Sequence, residues 1–194
     1  MSFMLLGILN SQASGGEFVT NFDLLATTQL TSSATSISLT GLNTYTDYDH
    51  LQLRVSATVN NTSNSVNSVS VRVNGDSGSN YSHYAAIADG SSVQDAYNYN
   101  TSSFSIEKTL VGQSATNLNK FGSLILDFYD FRNTSKKTNF RGIGGNVANE
   151  ARVALYGGVW NNTSAITSLQ VVELADIGFG IGTRVSLYGY KGAV

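Results

Sequence analysis

Apolar and polar residues alternate along much of this chain, most regularly between His50 and Tyr84. Leu51, Leu53, Val55, Ala57 and Val59 fall on one face of an extended backbone, with Gln52, Arg54, Ser56 and Thr58 on the other. A second run repeats the pattern, Val69, Val71 and Val73 against Ser70, Arg72 and Asn74. Period-two alternation marks a half-buried strand, because successive side chains leave a pleated backbone on opposite faces. Asn74-Gly75-Asp76 ends the second run with residues that tolerate positive φ, which predicts a tight turn between antiparallel strands.

The same signal recurs at short spacing. Phe22 to Gln29, Ser36 to Thr40, Tyr81 to Ala88, Phe104 to Val111 and Phe121 to Phe131 read as strands, as do Ala151 to Trp160, Ile166 to Leu174 and Val185 to Tyr190. Leu124, Leu126 and Phe128 share one face of their strand, while Ile125, Asp127 and Tyr129 make the other only partly wet. Val153, Leu155 and Val159 alternate with Ala154, Tyr156 and Trp160. Between Asn139 and Val147, Gly142, Gly144 and Gly145 mark a bulge or a close backbone approach within a strand; no helical period follows to make a phosphate loop. Asp89 to Ser103, rich in Gly, Ser and Asn, reads as a loop. About ten short strands without a convincing helix predict an all-β fold, an antiparallel β-sandwich or jelly roll, with a closed barrel as the alternative.

Length adds a bound on domains. At 194 residues the chain fits one all-β domain, placed at residues 17–194. Residues 1–16 stand apart: MSFMLLGIL is apolar and is followed by the small, polar NSQASGG. A secretory signal would begin with a basic group, which is missing here. Nine apolar residues are also too few for a helix to cross a bilayer, which takes about 20. We therefore expect a docking arm in which Phe3, Leu5, Leu6, Ile8 and Leu9 bury themselves against a partner surface.

Composition narrows the partners. Only 12% of residues are charged and the net charge is −2, so the clustered Lys and Arg that a nucleic-acid phosphate backbone demands are missing. With no cysteine, neither a disulfide framework nor a thiolate metal site is available. No proline is present, which leaves Gly, Asn and Asp to punctuate the strands.

Candidate chemistry is sparse. Gly75-Asp76-Ser77-Gly78 copies the string around the nucleophile of trypsin-like proteases, but that chemistry needs a histidine base on the serine. His50 and His83, the two histidines, stand in unrelated contexts, so the string reads as turn chemistry. Asp76, Ser77, Ser79 and Asn80 lack the spacing of a twelve-residue calcium loop. Asp127 and Asp130 lie three apart on a predicted strand and so point to opposite faces, which suits edge charges near Arg132 or Lys136 and not a glycosidase pair. Tyr97-Asn98-Tyr99-Asn100, with Tyr81 and Tyr84, offers a possible glycan or protein contact, since tyrosine supplies large area at low entropy cost. Trp160 reads as a cap on the core. No metal site, no cofactor and no catalytic residue is implied.

One resemblance extends this reading. Tyr48-Asp49-His50-Leu51-Gln52-Leu53-Arg54, and Val71-Arg72-Val73-Asn74-Gly75-Asp76-Ser77-Gly78-Ser79-Asn80-Tyr81, resemble stretches of virion structural proteins of tailed bacteriophages. Gly158-Val159-Trp160-Asn161-Asn162-Thr163-Ser164 and Leu187-Tyr188-Gly189-Tyr190-Lys191-Gly192 are similar in order and spacing. The resemblance runs roughly from Asn21 to Gly192. It implies a non-enzymatic virion protein, most naturally a capsid decoration or cement protein that assembles as a homo-oligomer, with a trimer as the expected state. The implied partners are copies of itself and other virion proteins such as the major capsid protein, with no nucleic acid and no membrane. A receptor-binding knob of a tail or head fibre, contacting glycan, is the alternative.

Overall fold

The structure is a computed structural model and describes residues 22–61, 66–112, 119–147 and 151–192. The docking arm assigned to residues 1–16 lies outside these. Among the described residues twelve strands follow one another: β1 (Phe22–Gln29), β2 (Ser36–Thr40), β3 (His50–Val59), β4 (Val66–Val73), β5 (Tyr81–Ala88), β6 (Val93–Thr101), β7 (Phe104–Gly112), β8 (Gly122–Phe128), β9 (Thr138–Asn146), β10 (Arg152–Trp160), β11 (Ser168–Glu173) and β12 (Arg184–Tyr190). The described residues form two antiparallel sheets, one of eight strands and one of five, as a β-sandwich. The larger runs β1-β12-β3-β8-β9-β10-β5-β6. The smaller runs β2-β11-β4-β7 and is completed by the end of β3, where Thr58 and Val59 pair in parallel with Val111 and Gly112. β3 thus belongs to both sheets and ties them together.

The alternation read from the sequence now has a physical address. Leu51, Leu53, Val55, Ala57 and Val59 of β3 are buried against Val69, Val71 and Val73 of β4 in one apolar core. Leu124, Leu126 and Phe128 of β8 extend it, with Val185 and Leu187 of β12. From the small sheet come Phe104 and Ile106 of β7, with Leu169 and Val171 of β11. Each fully buried Leu, Val or Phe contributes about 1.5–3 kcal/mol relative to exposure. Glu173 is buried at the end of β11, where its carboxylate accepts hydrogen bonds from the backbone N–H groups of Ala175, Ile177 and Gly178 at 2.9, 3.0 and 3.2 Å.

Two sequence expectations are corrected. The runs now named β3 and β4 do not pair with each other, because β7 lies between them in the small sheet, and the turn after β4 does not close a hairpin. Asn74 and Gly75 do adopt positive φ (53° and 68°), and the Asp76 N–H donates to the Val73 carbonyl at 2.9 Å. The chain then crosses from the small sheet to the large one as β5. Alternation reports which residues share a face and says nothing of which strand lies beside which. The second correction concerns the loop expected over Asp89 to Ser103, most of which is β6, paired with β5 from Ala88↔Val93 to Tyr81↔Thr101. β6 is an edge strand with little burial on either face, so it lacks the apolar alternation that betrays a strand.

The glycines of β9 make the close approaches that their spacing predicts. A Cβ on Gly142 would stand 2.3 Å from the Ile125 carbonyl oxygen, and one on Gly145 would stand 2.2 Å from that of Arg152.

Candidate functional site

A strand in a sandwich buries one face, so its other face should be polar unless something covers it. The outer face of the eight-stranded sheet departs from this. Leu155, Val153 and Ile143 on β10 and β9 are 60%, 58% and 48% exposed, and Val93 of β6 and Val147 beyond β9 are more exposed still. On β10 the structure buries Ala154, Tyr156 and Trp160 and turns Val153 and Leu155 to the outside.

Strand register arranges these residues in rows across the sheet. One row passes from β6 to β3 through Asp95, Ala86, Leu155, Ile143, Ile125 and Arg54. It has an acid at one end, a base at the other and four apolar residues between. The row on one side reads Tyr97, Tyr84, Gly157, Arg141, Asp127 and Gln52. The row on the other side reads Val93, Ala88, Val153, Gly145, Ser123 and Ser56. Because Gly145 offers no side chain, its neighbours Ile143, Val147, Val153 and Ile125 rim a mainly apolar hollow of about 400 Å³. A second hollow of about 310 Å³ lies beside it and is lined by Arg54, Arg184, Ser56, Ser123, Ser186 and Tyr188.

Charge on this face sits at the Asp95 and Arg54 ends of the central row and in the row beside it, where Arg141 and Asp127 stand opposite each other on β9 and β8. The Arg54 Nε donates to the Gln52 Oε1 at 2.7 Å, and its guanidinium lies 4.5 Å from the Tyr188 ring centroid and 5.1 Å from that of Phe22. Arg184 donates to the Gln29 Oε1 at 2.7 Å. Asp127 accepts from the Gln52 Nε2 at 2.8 Å. Burial, followed by the nearby Asp127 carboxylate, pushes the Tyr190 hydroxyl above its ordinary pKa.

The tyrosines singled out from the sequence separate into two groups. Tyr84, Tyr97 and Tyr99 are exposed and in ring contact at the β5–β6 edge of this outer face. Tyr81 does not join them, and as a surface contact it is corrected. It points into the core, edge-on to Phe104; its hydroxyl accepts from the Val73 N–H at 3.0 Å and donates to the Asp76 carbonyl at 2.9 Å. Desolvation raises its pKa to about 12. Residues three apart on β5, Tyr81 and Tyr84, lie on opposite faces of the strand. Phe3, Leu5, Leu6, Ile8 and Leu9 lie outside the described residues.

The protease-like string is a corner brace. Asp76 accepts from the Trp160 Nε1 at 2.7 Å, the Gly78 N–H at 2.8 Å and the Asn80 Nδ2 at 2.9 Å. Partial burial works against its ionised form, but these donors outweigh it and hold the carboxyl below its ordinary pKa. His83 is buried on the core face of β5, and His50 accepts at Nδ1 from the Asp130 N–H at 2.9 Å. Of the other acids, Asp130 pairs with Lys136 and Asp49 with Arg132, while Asp127 lies within β8, a strand paired on both sides. Among the described residues no three His, Asp or Glu side chains gather as metal ligands.

The class that fold and site define is a β-sandwich with an uncovered apolar sheet face. No protein-family model matches the chain, and no curated protein matches it.

Proposed function

We propose that this chain is a non-enzymatic structural protein of a tailed-phage virion, a capsid-decorating or cement protein that works by burying surface against its neighbours. The observation that carries the reading is the outer face of the large sheet. It centres on Leu155, Val153 and Ile143, in a chain with only 12% charged residues. A patch of this kind on a folded domain marks a contact surface. Capsid decoration, rather than another assembly role, comes from the sequence resemblance. The apolar residues Phe3, Leu5, Leu6, Ile8 and Leu9 supply a second contact, toward the shell.

The test is where the chain sits on a particle. Antibody raised against it should label the heads of purified virions, and a version starting at Glu17 should bind empty capsid shells at least tenfold more weakly. Purified virions that carry no label would overturn the reading.

One observation favours a second reading, a glycan-binding fibre knob: Tyr84, Tyr97 and Tyr99 stand exposed together at one sheet edge. Label confined to tail or fibre tips would favour it, together with glycan binding that disappears in Tyr97→Ala and Tyr99→Ala.

A further inference from the structure

The three rows on the outer face are complementary to their own reverse. Consider a two-fold axis lying along the strands, midway between β9 and β10. It turns each row end for end and sets it over its copy, because rotation about the strand direction reverses the order of strands but keeps position along them. The central row then places Asp95 of one copy over Arg54 of the other, Ala86 over Ile125 and Leu155 over Ile143. The Val153 row places that valine over the hollow at Gly145. The Tyr97 row places Arg141 over Gly157, Tyr84 over Asp127 and Tyr97 over Gln52. Ile125 meets Ala86, Val153 meets Gly145 and Arg141 meets Gly157, each a large side chain on a small one; Leu155 and Ile143 make an apolar contact beside the axis, Val93 lies over Ser56, two tyrosine hydroxyls meet a carboxylate and an amide, and the acid meets the base.

We propose that two copies of this chain pair through the outer faces of their eight-stranded sheets, in this register. The inference rests on the assembly reading above and names its partner. An isologous interface requires each contact to occur twice with the roles exchanged, and Asp95 and Arg54 satisfy this. Neither has a carboxylate–cation partner within its own chain among the described residues. The area also fits. Exposed fractions of Tyr84, Tyr97, Tyr99, Val93, Ile143, Val147, Val153 and Leu155 correspond to roughly 900 Å², against about 800 Å² per partner in a stable interface. A patch on a lone monomer is usually about 300–600 Å². Aligned packing of two twisted sheets is an ordinary sandwich geometry. The elementary assembly unit becomes a dimer, in place of the trimer that the resemblance implies.

The experiment combines light scattering with site-directed cross-linking of the full chain. The wild type should show a concentration-dependent dimer mass. Asp95→Arg and Arg54→Glu should each weaken it about tenfold, and the double variant should regain most of the loss. Since the chain contains no cysteine, Asp95→Cys with Arg54→Cys should join two chains through a short bis-maleimide spanning the ~10 Å between packed sheets. Asp95→Cys alone should not, because five strand spacings of about 4.8 Å separate the two copies of that residue. A double charge variant weaker than both single ones would overturn the register, and so would linkage through Asp95→Cys alone. A full chain that stays monomeric while virions carry it would overturn the pairing and leave the structural role standing.

Discussion

Asp76 shows how a residue that looks catalytic in a string is spent on structure. Its carboxylate receives Trp160, Gly78 and Asn80 where the chain crosses between the sheets. Asp76→Ala should therefore destabilise the fold by about 1–3 kcal/mol, the cost of stranding partly buried donors, read as a lowered thermal midpoint. The acid dependence has a definite sign. A carboxyl whose folded pKa lies below its ordinary value of 3.8 adds stability that is complete above that value and is lost as pH falls through the lower folded one. Wild type should lose stability on the acid side more steeply than Asp76→Asn. Residue chemistry of this sort was legible in advance, since Asn74-Gly75-Asp76 announces a turn and Trp160 a core cap. Tyr81 was not, because tyrosine suits a buried, hydrogen-bonded site as well as an exposed one.

At the scale of elements, strand positions were readable wherever one face is buried and the other wet. β2 and β5 occupy the residues that the alternation marks. β6, an edge strand with polar residues on both faces, carries no period to read, and its tyrosines lie in a stretch whose composition marks a loop. β10 carries apolar residues on both faces, so alternation alone does not say which face the core takes. That ambiguity was itself the signal: Val153, Leu155 and Ile125 are apolar residues on faces the core did not need. β9 allows a direct check on close packing. Gly142→Ala forces a methyl toward the Ile125 carbonyl and the Leu126 side chain and should cost about 3 kcal/mol in thermal or denaturant unfolding. Gly157→Ala on β10 enters open space and should be within about 0.5 kcal/mol of wild type.

At the scale of the molecule, β3 is shared by both sheets, and Asp76 and Trp160 link the crossing between them. Neither sheet can come apart without exposing the core of the other. Unfolding should therefore be a single transition, with the fluorescence of the one tryptophan, Trp160, tracing the same curve as the far-ultraviolet circular dichroism of the strands. Two separated midpoints would mean that the sheets are independent units.

The pairing of β1 with β12 sets Phe22 opposite Tyr190, so the backbone runs into and out of the sandwich at one corner. Tension applied between those two points would pull the edge pair apart as a zipper, one rung after another, instead of shearing all its hydrogen bonds at once. A domain strung in this way yields first at β1, while the strands that carry the outer face stay unloaded.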